Sequence, residues 1–266
     1  MIDLTSFLST KLCEFGYKGE FQVEYSFNYT QGDGCRFIGM LDISPEIIER
    51  FIQEMKATLG TGFVQEVKAP RYRRIFSELY SLIQQWGDNH LSIEANSHRY
   101  FHENTMYLKS GWDIARIQED EINLNTAANI NVLEKVQDEF IHWLREDIKY
   151  VSRQLTHFGY SILNNRVTDE VLWSFKTQNY EWVLEAITKD QNMESDFLDA
   201  RTYTCMLDGN HHYGDLLLTL FDRNTEQESR LASASADDVI WNKEDHTFAG
   251  IRRALVQEIS FEFVNK

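Results

Sequence analysis

Proline is almost absent from this chain: among 266 residues only Pro45 and Pro70 occur. No Ser/Gly-rich linker replaces it, so any two domains are expected to sit close together. Cysteine is equally sparse. Cys13, Cys35 and Cys205 stand alone, with no CxxC pair, which excludes a zinc ribbon. An odd number of isolated thiols fits a reducing compartment, and Met1-Ile2-Asp3-Leu4 lacks the basic and apolar regions of a signal peptide, so a cytoplasmic protein is expected. No apolar run approaches the roughly 20 residues of a membrane span. Recognisable catalytic signatures are missing too: there is no GxSxG elbow, Walker loop, dinucleotide fingerprint or kinase set.

Positive charge is the other scarcity. The chain carries 42 acidic against 26 basic residues, a net −16. Such a chain repels nucleic acid and anionic membranes at long range, so neither is an expected direct partner. The basic grooves of nucleic-acid enzymes are. Full mimicry of DNA would need more: a compact chain this long spans roughly 45–50 Å, over which a duplex carries roughly 28 phosphates. Sixteen net charges suffice only if the acids gather on one face. Local clusters occur at Glu119-Asp120-Glu121 and Asp237-Asp238.

What is abundant is apolar and aromatic material, 42% and 13% of the residues, enough for a substantial core. Its periodicity predicts helices over 3–15, from Ser44-Pro45 to about Gly60, over 71–86, over 131–157 and over 247–258. The 131–157 pattern is the strongest, with Val132, Val136, Phe140, Trp143, Leu144, Ile148, Val151 and Leu155 at three- and four-residue steps. Strands are expected over 20–28, 37–41, 91–96, 105–108, 112–117, 180–187 and 213–221. Thr168-Asp169-Glu170 reads as the cap of a short helix, 201–207 as a strand paired with 213–221, and 259–264 as a final strand. The fold class is therefore α+β, an antiparallel sheet against several helices including one long one. A polar stretch near 188–199 places the expected boundary between a domain over 1–190 and a small α+β domain over 191–266.

The most distinctive stretch is YSFNYTQGDGCRF, residues 25–37. Gln31-Gly32-Asp33-Gly34 interrupts an aromatic alternation and reads as a chain reversal. Cross-strand pairs among Tyr25, Phe27 and Phe37 would stabilise the flanking strands. A phosphate loop would instead lead into a helix and carry Lys-Ser/Thr, and this one does neither. Gln31 and Asp33, together with Glu119, Asp120 and Glu121, are the candidate contacts for a protein partner. A metal-dependent hydrolase would use Asp33 with Glu24 and His102. His98 and His102, four apart, are the candidate metal pair, though no cofactor is expected. Arg71, Arg73 and Arg74 form the one tight basic cluster.

The stretch also carries a resemblance. FQVEYSFNYTQGDGCRFIGMLDI, with HLSIEANSHRYFHENTMYL, VQDEFIHWLREDIKYVSRQL and TDEVLWSFKTQNYEW, resembles a phage- and plasmid-borne family of accessory proteins with a QGDG hairpin, a Y-x-H element and a long aromatic helix. Tyr100 and His102 fall on the Y-x-H element. The likeness covers roughly residues 20–185. Members are often labelled antitoxins of toxin–antitoxin systems, and no catalytic residues transfer with the resemblance. It implies a mobile genetic element, and with the acidic balance it leads to the expectation of a non-enzymatic protein. Such a protein would bind and inhibit a host ribonucleoprotein or protein defence complex of the CRISPR or restriction kind, or alternatively sequester a toxin.

Overall fold

The computed structural model describes residues 3–57, 74, 91–96, 100–110, 130–188, 200–224 and 229–264. The expected helix over 71–86 (apart from Arg74), the strand over 112–117, the acidic triplet 119–121 and His98 lie outside the described residues. What is described is an α+β protein with two four-stranded antiparallel sheets and five α-helices. No described helix is long and apolar enough to cross a membrane. By contacts the chain forms two compact units. One is residues 8–157; the other joins residues 1–7 to 158–266.

In the 8–157 unit, strands β1 (Phe21–Ser26), β2 (Gly34–Leu41), β3 (Leu91–Ala95) and β4 (Met106–Ser110) pair in sequence order. Helix α1 (Leu4–Glu14) leads into it and α2 (Pro45–Ala57) follows β2. Ser44 caps α2 as expected: its hydroxyl accepts the Ile47 N–H at 3.3 Å and donates to the Gly16 carbonyl at 2.8 Å, so one side chain satisfies two otherwise orphaned backbone groups. Helix α3 (Ile130–Asn164) buries Val136, Phe140, Leu144, Ile148, Val151 and Leu155, the stripe its sequence predicts. Tyr17, Phe21 and Phe37 meet edge to face, with ring centroids 5.2–6.3 Å apart.

The first half of β2 has no β3 backbone beside it, because β3 pairs only with Gly39–Leu41. Side chains take over the ladder there. Thr156 on α3 accepts the Cys35 N–H at 2.9 Å, Ser152 donates to the Cys35 carbonyl, and the Met106 sulfur accepts the Phe37 N–H at 3.2 Å.

Beneath α2 lies a buried polar group. The Tyr17 hydroxyl, fully enclosed, donates to Asp147 at 2.7 Å, and Arg50 donates both to Asp147 and to the Phe15 carbonyl. Burial pushes the Tyr17 phenol well above its ordinary value and pushes the enclosed Cys35 thiol up as well. Both groups fold neutral and ionise more easily in the unfolded chain. Their stabilising contribution is therefore whole below the unfolded values of 9.0 and 10.0 and is lost as pH rises through the higher folded values. Urea midpoints between pH 8 and pH 11 should fall, and Cys35→Ala and Tyr17→Phe should each flatten the fall relative to the parent.

In the other unit, β5 (Glu170–Lys176), β6 (Tyr180–Ile187), β7 (His211–Asp222) and β8 (Ser229–Asn242) form the second sheet in sequence order, with α4 (Ala200–Leu207) and α5 (Ala249–Val264). Leu184, Leu216, Leu218, Ala234, Trp241, Phe248, Leu255 and Ile259 make its core. The Tyr203 ring on α4 stacks on Phe7 at 4.6 Å, and Arg252 lies 3.9 Å over the Trp173 ring.

This unit corrects four sequence expectations. Residues 170–176 form a strand, because Asp169 does not cap a helix; its carboxylate accepts the backbone N–H and hydroxyl of Thr188 and ties the two ends of the β5–β6 hairpin together. Residues 200–207 form a helix, which puts Thr202, Tyr203 and Met206 on one buried face. Residues 259–264 continue α5, since Ile259 is buried one turn beyond Leu255. The expected boundary at 190 falls between β6 and β7, which pair along the whole of β6 from Tyr180 to Ile187.

Candidate functional site

The β1–β2 register ends at Ser26↔Gly34, so the reversal spans residues 27–33 and Gly34 already opens β2. The QGDG tetrapeptide is thus the returning half of a wider loop. Asp33 organises it. Its carboxylate accepts the Thr30 N–H at 2.8 Å, the Thr30 hydroxyl at 2.8 Å and the Ser26 hydroxyl at 3.0 Å, while its own N–H donates to the Thr30 carbonyl at 3.1 Å. Asp33 is buried, 8% exposed. The residue expected at a contact tip turns inward and holds the loop shut, as aspartate does in turns built on its own side chain.

The outward positions are Asn28, Tyr29, Thr30 and Gln31, all exposed. Tyr29 is 67% exposed and sits at φ 56°, a left-handed conformation that a tyrosine adopts only where its surroundings impose it. Below it Tyr25 and Phe27 stack at 4.9 Å, nearly parallel. Phe37, expected from the sequence to pair with them, does not; it lies opposite Val23 and packs into the core with Tyr17 and Phe21.

The loop rests on the segment that carries the Y-x-H element. A Cβ on Gly32 would lie 2.6 Å from the Tyr100 ring, and one on Gly34 would lie 2.6 Å from the Phe101 carbonyl oxygen. The Phe101 N–H donates to the Gly32 carbonyl at 3.2 Å. A side chain at position 32 would have to displace the Tyr100 ring, whereas at position 34 it would meet a fixed backbone oxygen, and Gly34, at φ 150°, is favoured by conformation too. Arg36 locks the pair of segments. Its guanidinium bonds Glu24 at 2.6 Å across the hairpin, donates to the Tyr100 carbonyl at 3.3 Å and lies 4.8 Å over the Phe101 ring. Sequence inspection passed over Arg36, although Glu24 and Arg36 at matched hairpin positions were a visible signal.

Two of the three residues of a hydrolytic centre, Glu24 and Asp33, are otherwise engaged. Glu24 is ion-paired with Arg36, Asp33 is saturated by its own loop, and His102 packs its ring 5.6 Å from Tyr100 while its carbonyl accepts the Thr105 hydroxyl. Among the described residues no three His, Cys, Asp or Glu side chains converge as a metal site. A separate groove of about 360 Å³ lies along β4 and α3, lined by Met106, Leu108 and Ile148 with Arg145, Glu146 and Lys149; Lys149 is already paired to Glu146 at 2.8 Å. None of the loop residues reaches it.

No protein-family model matches the chain, and no curated protein or solved structure matches it either.

Proposed function

We propose that this chain is a non-enzymatic binding protein of a phage or mobile element. It acts by occupying the basic, nucleic-acid-directed surface of a host defence complex of the CRISPR or restriction type. The observation that carries the reading is the construction of the hairpin tip. Asp33 is consumed in holding the loop, Arg36 and the two glycines clamp it to Tyr100–Phe101, and what remains outward is a preorganised set of contact side chains. Tyrosine and amide side chains on a rigid loop suit recognition, since little freedom is lost on binding.

The charge distribution supports the same reading. The unit built on β5–β8 holds 20 of the 42 acidic and 10 of the 26 basic residues, so it carries net −10 of the −16 in the shorter part of the chain. Negative potential is thus concentrated in one unit, where it steers association with a cationic surface.

The test is co-elution of the purified chain with a panel of such complexes, read together with their loss of DNA binding. Tyr29→Ala should weaken the complex by about 2 kcal/mol, roughly thirtyfold, with Gln31→Ala smaller and both variants folded as the parent. No complex formed across a broad panel sinks the reading. A complex indifferent to both substitutions removes the hairpin from it.

A further inference from the structure

β8 ends the second sheet. It pairs with β7 on one side, and no described strand lies along the other. A 14-residue edge leaves a row of backbone N–H and C=O groups facing outward, a template for another strand. Edges are commonly guarded by lysine, proline or a bulge within the strand. The segment Ala232-Ser233-Ala234-Ser235-Ala236 has no such guard. The bulges in β8 fall at its two ends, at Leu231 and at Asp237–Asp238, where the β7 register skips.

Reversed about Ala234, the strand matches itself. Ala232 comes opposite Ala236, Ser233 opposite Ser235, bulge opposite bulge, and Arg230 opposite Asp238 with Asp237 beside it. The faces agree as well. Ala232, Ala234 and Ala236 sit on the core side, paired with Leu220, Leu218 and Leu216, while Ser233 and Ser235 sit on the other side with Thr219 and Leu217. Arg230 is exposed and its guanidinium reaches only Ser233 of its own strand among the described residues. Asp237 and Asp238 are exposed, and Asp238 also accepts the Tyr213 hydroxyl of its own chain at 2.5 Å through one carboxylate oxygen.

We propose that β8 pairs antiparallel with β8 of a second copy about a two-fold axis at Ala234, joining two four-stranded sheets into one. The interface is isologous, so each charge pair occurs twice, Arg230 of each chain against Asp237–Asp238 of the other. The occupant follows from charge complementarity and register together: an arbitrary strand would meet Arg230 and the aspartates in the wrong order, whereas a copy of the same strand meets both correctly. Two chains of net −16 repel at a distance, so the association depends on these local pairs and needs salt to screen the rest.

Sedimentation velocity of the full chain, from nanomolar to high micromolar at about 0.15 M salt, tests this. The parent should show a monomer–dimer equilibrium. Arg230→Asp and Asp237→Arg should each raise the dimer Kd at least tenfold. An equal mixture of the two variants, or one chain carrying both changes, should return it to within a few-fold of the parent, because every like-charge contact becomes an opposite one. Far-UV circular dichroism checks that each variant is folded. A parent that stays monomeric throughout overturns the proposal. So does a dimer unmoved by either reversal, and so do single-variant losses that neither the mixture nor the double variant repairs.

Discussion

Arg50→Met should lower the unfolding free energy of this protein by about 3–5 kcal/mol. Asp147 is 3% exposed at its side chain and Arg50 26%, so the carboxylate lies inside while the guanidinium reaches toward water. Without Arg50 the carboxylate keeps the Tyr17 hydroxyl and loses its counter-charge, the Phe15 carbonyl loses its donor, and Trp143 loses the cation 5.6 Å over its ring. Leaving a buried charge unpaired costs more than the pair itself contributes, so Arg50→Met/Asp147→Asn should recover at least half of the loss. Urea denaturation measures both. The pH dependence has a definite sign. Burial already pushes the Asp147 carboxyl above its ordinary 3.8, so the group favours folding most in its protonated form. That contribution is complete below 3.8 and is lost as pH rises through the raised folded value. The Arg50→Met deficit should therefore shrink on acidification from pH 7 toward pH 4.5. A deficit constant over that range would show that Asp147 is not its source.

Gly34→Ala should cost about 3 kcal/mol, from a left-handed φ and a Cβ forced to within 2.6 Å of a backbone carbonyl. Gly32→Ala meets the Tyr100 ring at the same distance, yet a ring on a rotatable side chain can move where a backbone oxygen cannot. Its stability cost should stay within about 1 kcal/mol. The pair separates two roles of the motif. Gly34 is needed for the hairpin to pack on Phe101–His102 at all, and Gly32 for Tyr100 to sit where the loop presents it. Thermal unfolding ranks the two, and the co-elution assay reports whether Gly32→Ala weakens partner binding while the fold stands. Equal stability losses would mean that the loop and the 100–102 segment move as one and that the distinction fails.

Where local chemistry and burial pointed the same way, the elements were legible. Ser44-Pro45 opened α2 because a hydroxyl cap and a fixed φ serve one turn. The α3 stripe was readable because its buried positions recur along one face from Val136 to Leu155, and the structure adds that the helix continues to Asn164. β8 escaped notice because alanine and serine carry little strand preference; its strand character comes from eleven paired positions along β7. Residues 200–207 and 259–264 were misread because short segments of mixed polarity satisfy both periodicities, and only the packing of Tyr203, Met206 and Ile259 chose the helix. At the candidate site the unusual loop was visible in Gln31-Gly32-Asp33-Gly34, but the direction of Asp33 was not. A carboxylate in a turn suits solvent and an inward cap equally well, and the Ser26 and Thr30 partners become apparent only in three dimensions.

By itself the amino-acid order determined the α+β class, the capped α2, the long amphipathic helix, the hairpin over 21–41 and the acidic balance, because each depends on neighbours along the chain or on composition. Tertiary structure decided the rest: that Asp33 faces in and Tyr29 out, that Arg36 ties the hairpin to Tyr100 and Phe101, that β6 and β7 make one sheet across the polar stretch, and that among the described strands β8 lies at a sheet edge. Those outcomes hang on residues brought together from distant positions in the chain. Contacts of that kind are selected by burial and hydrogen-bond satisfaction in the folded protein, and they leave no local periodicity from which to read them.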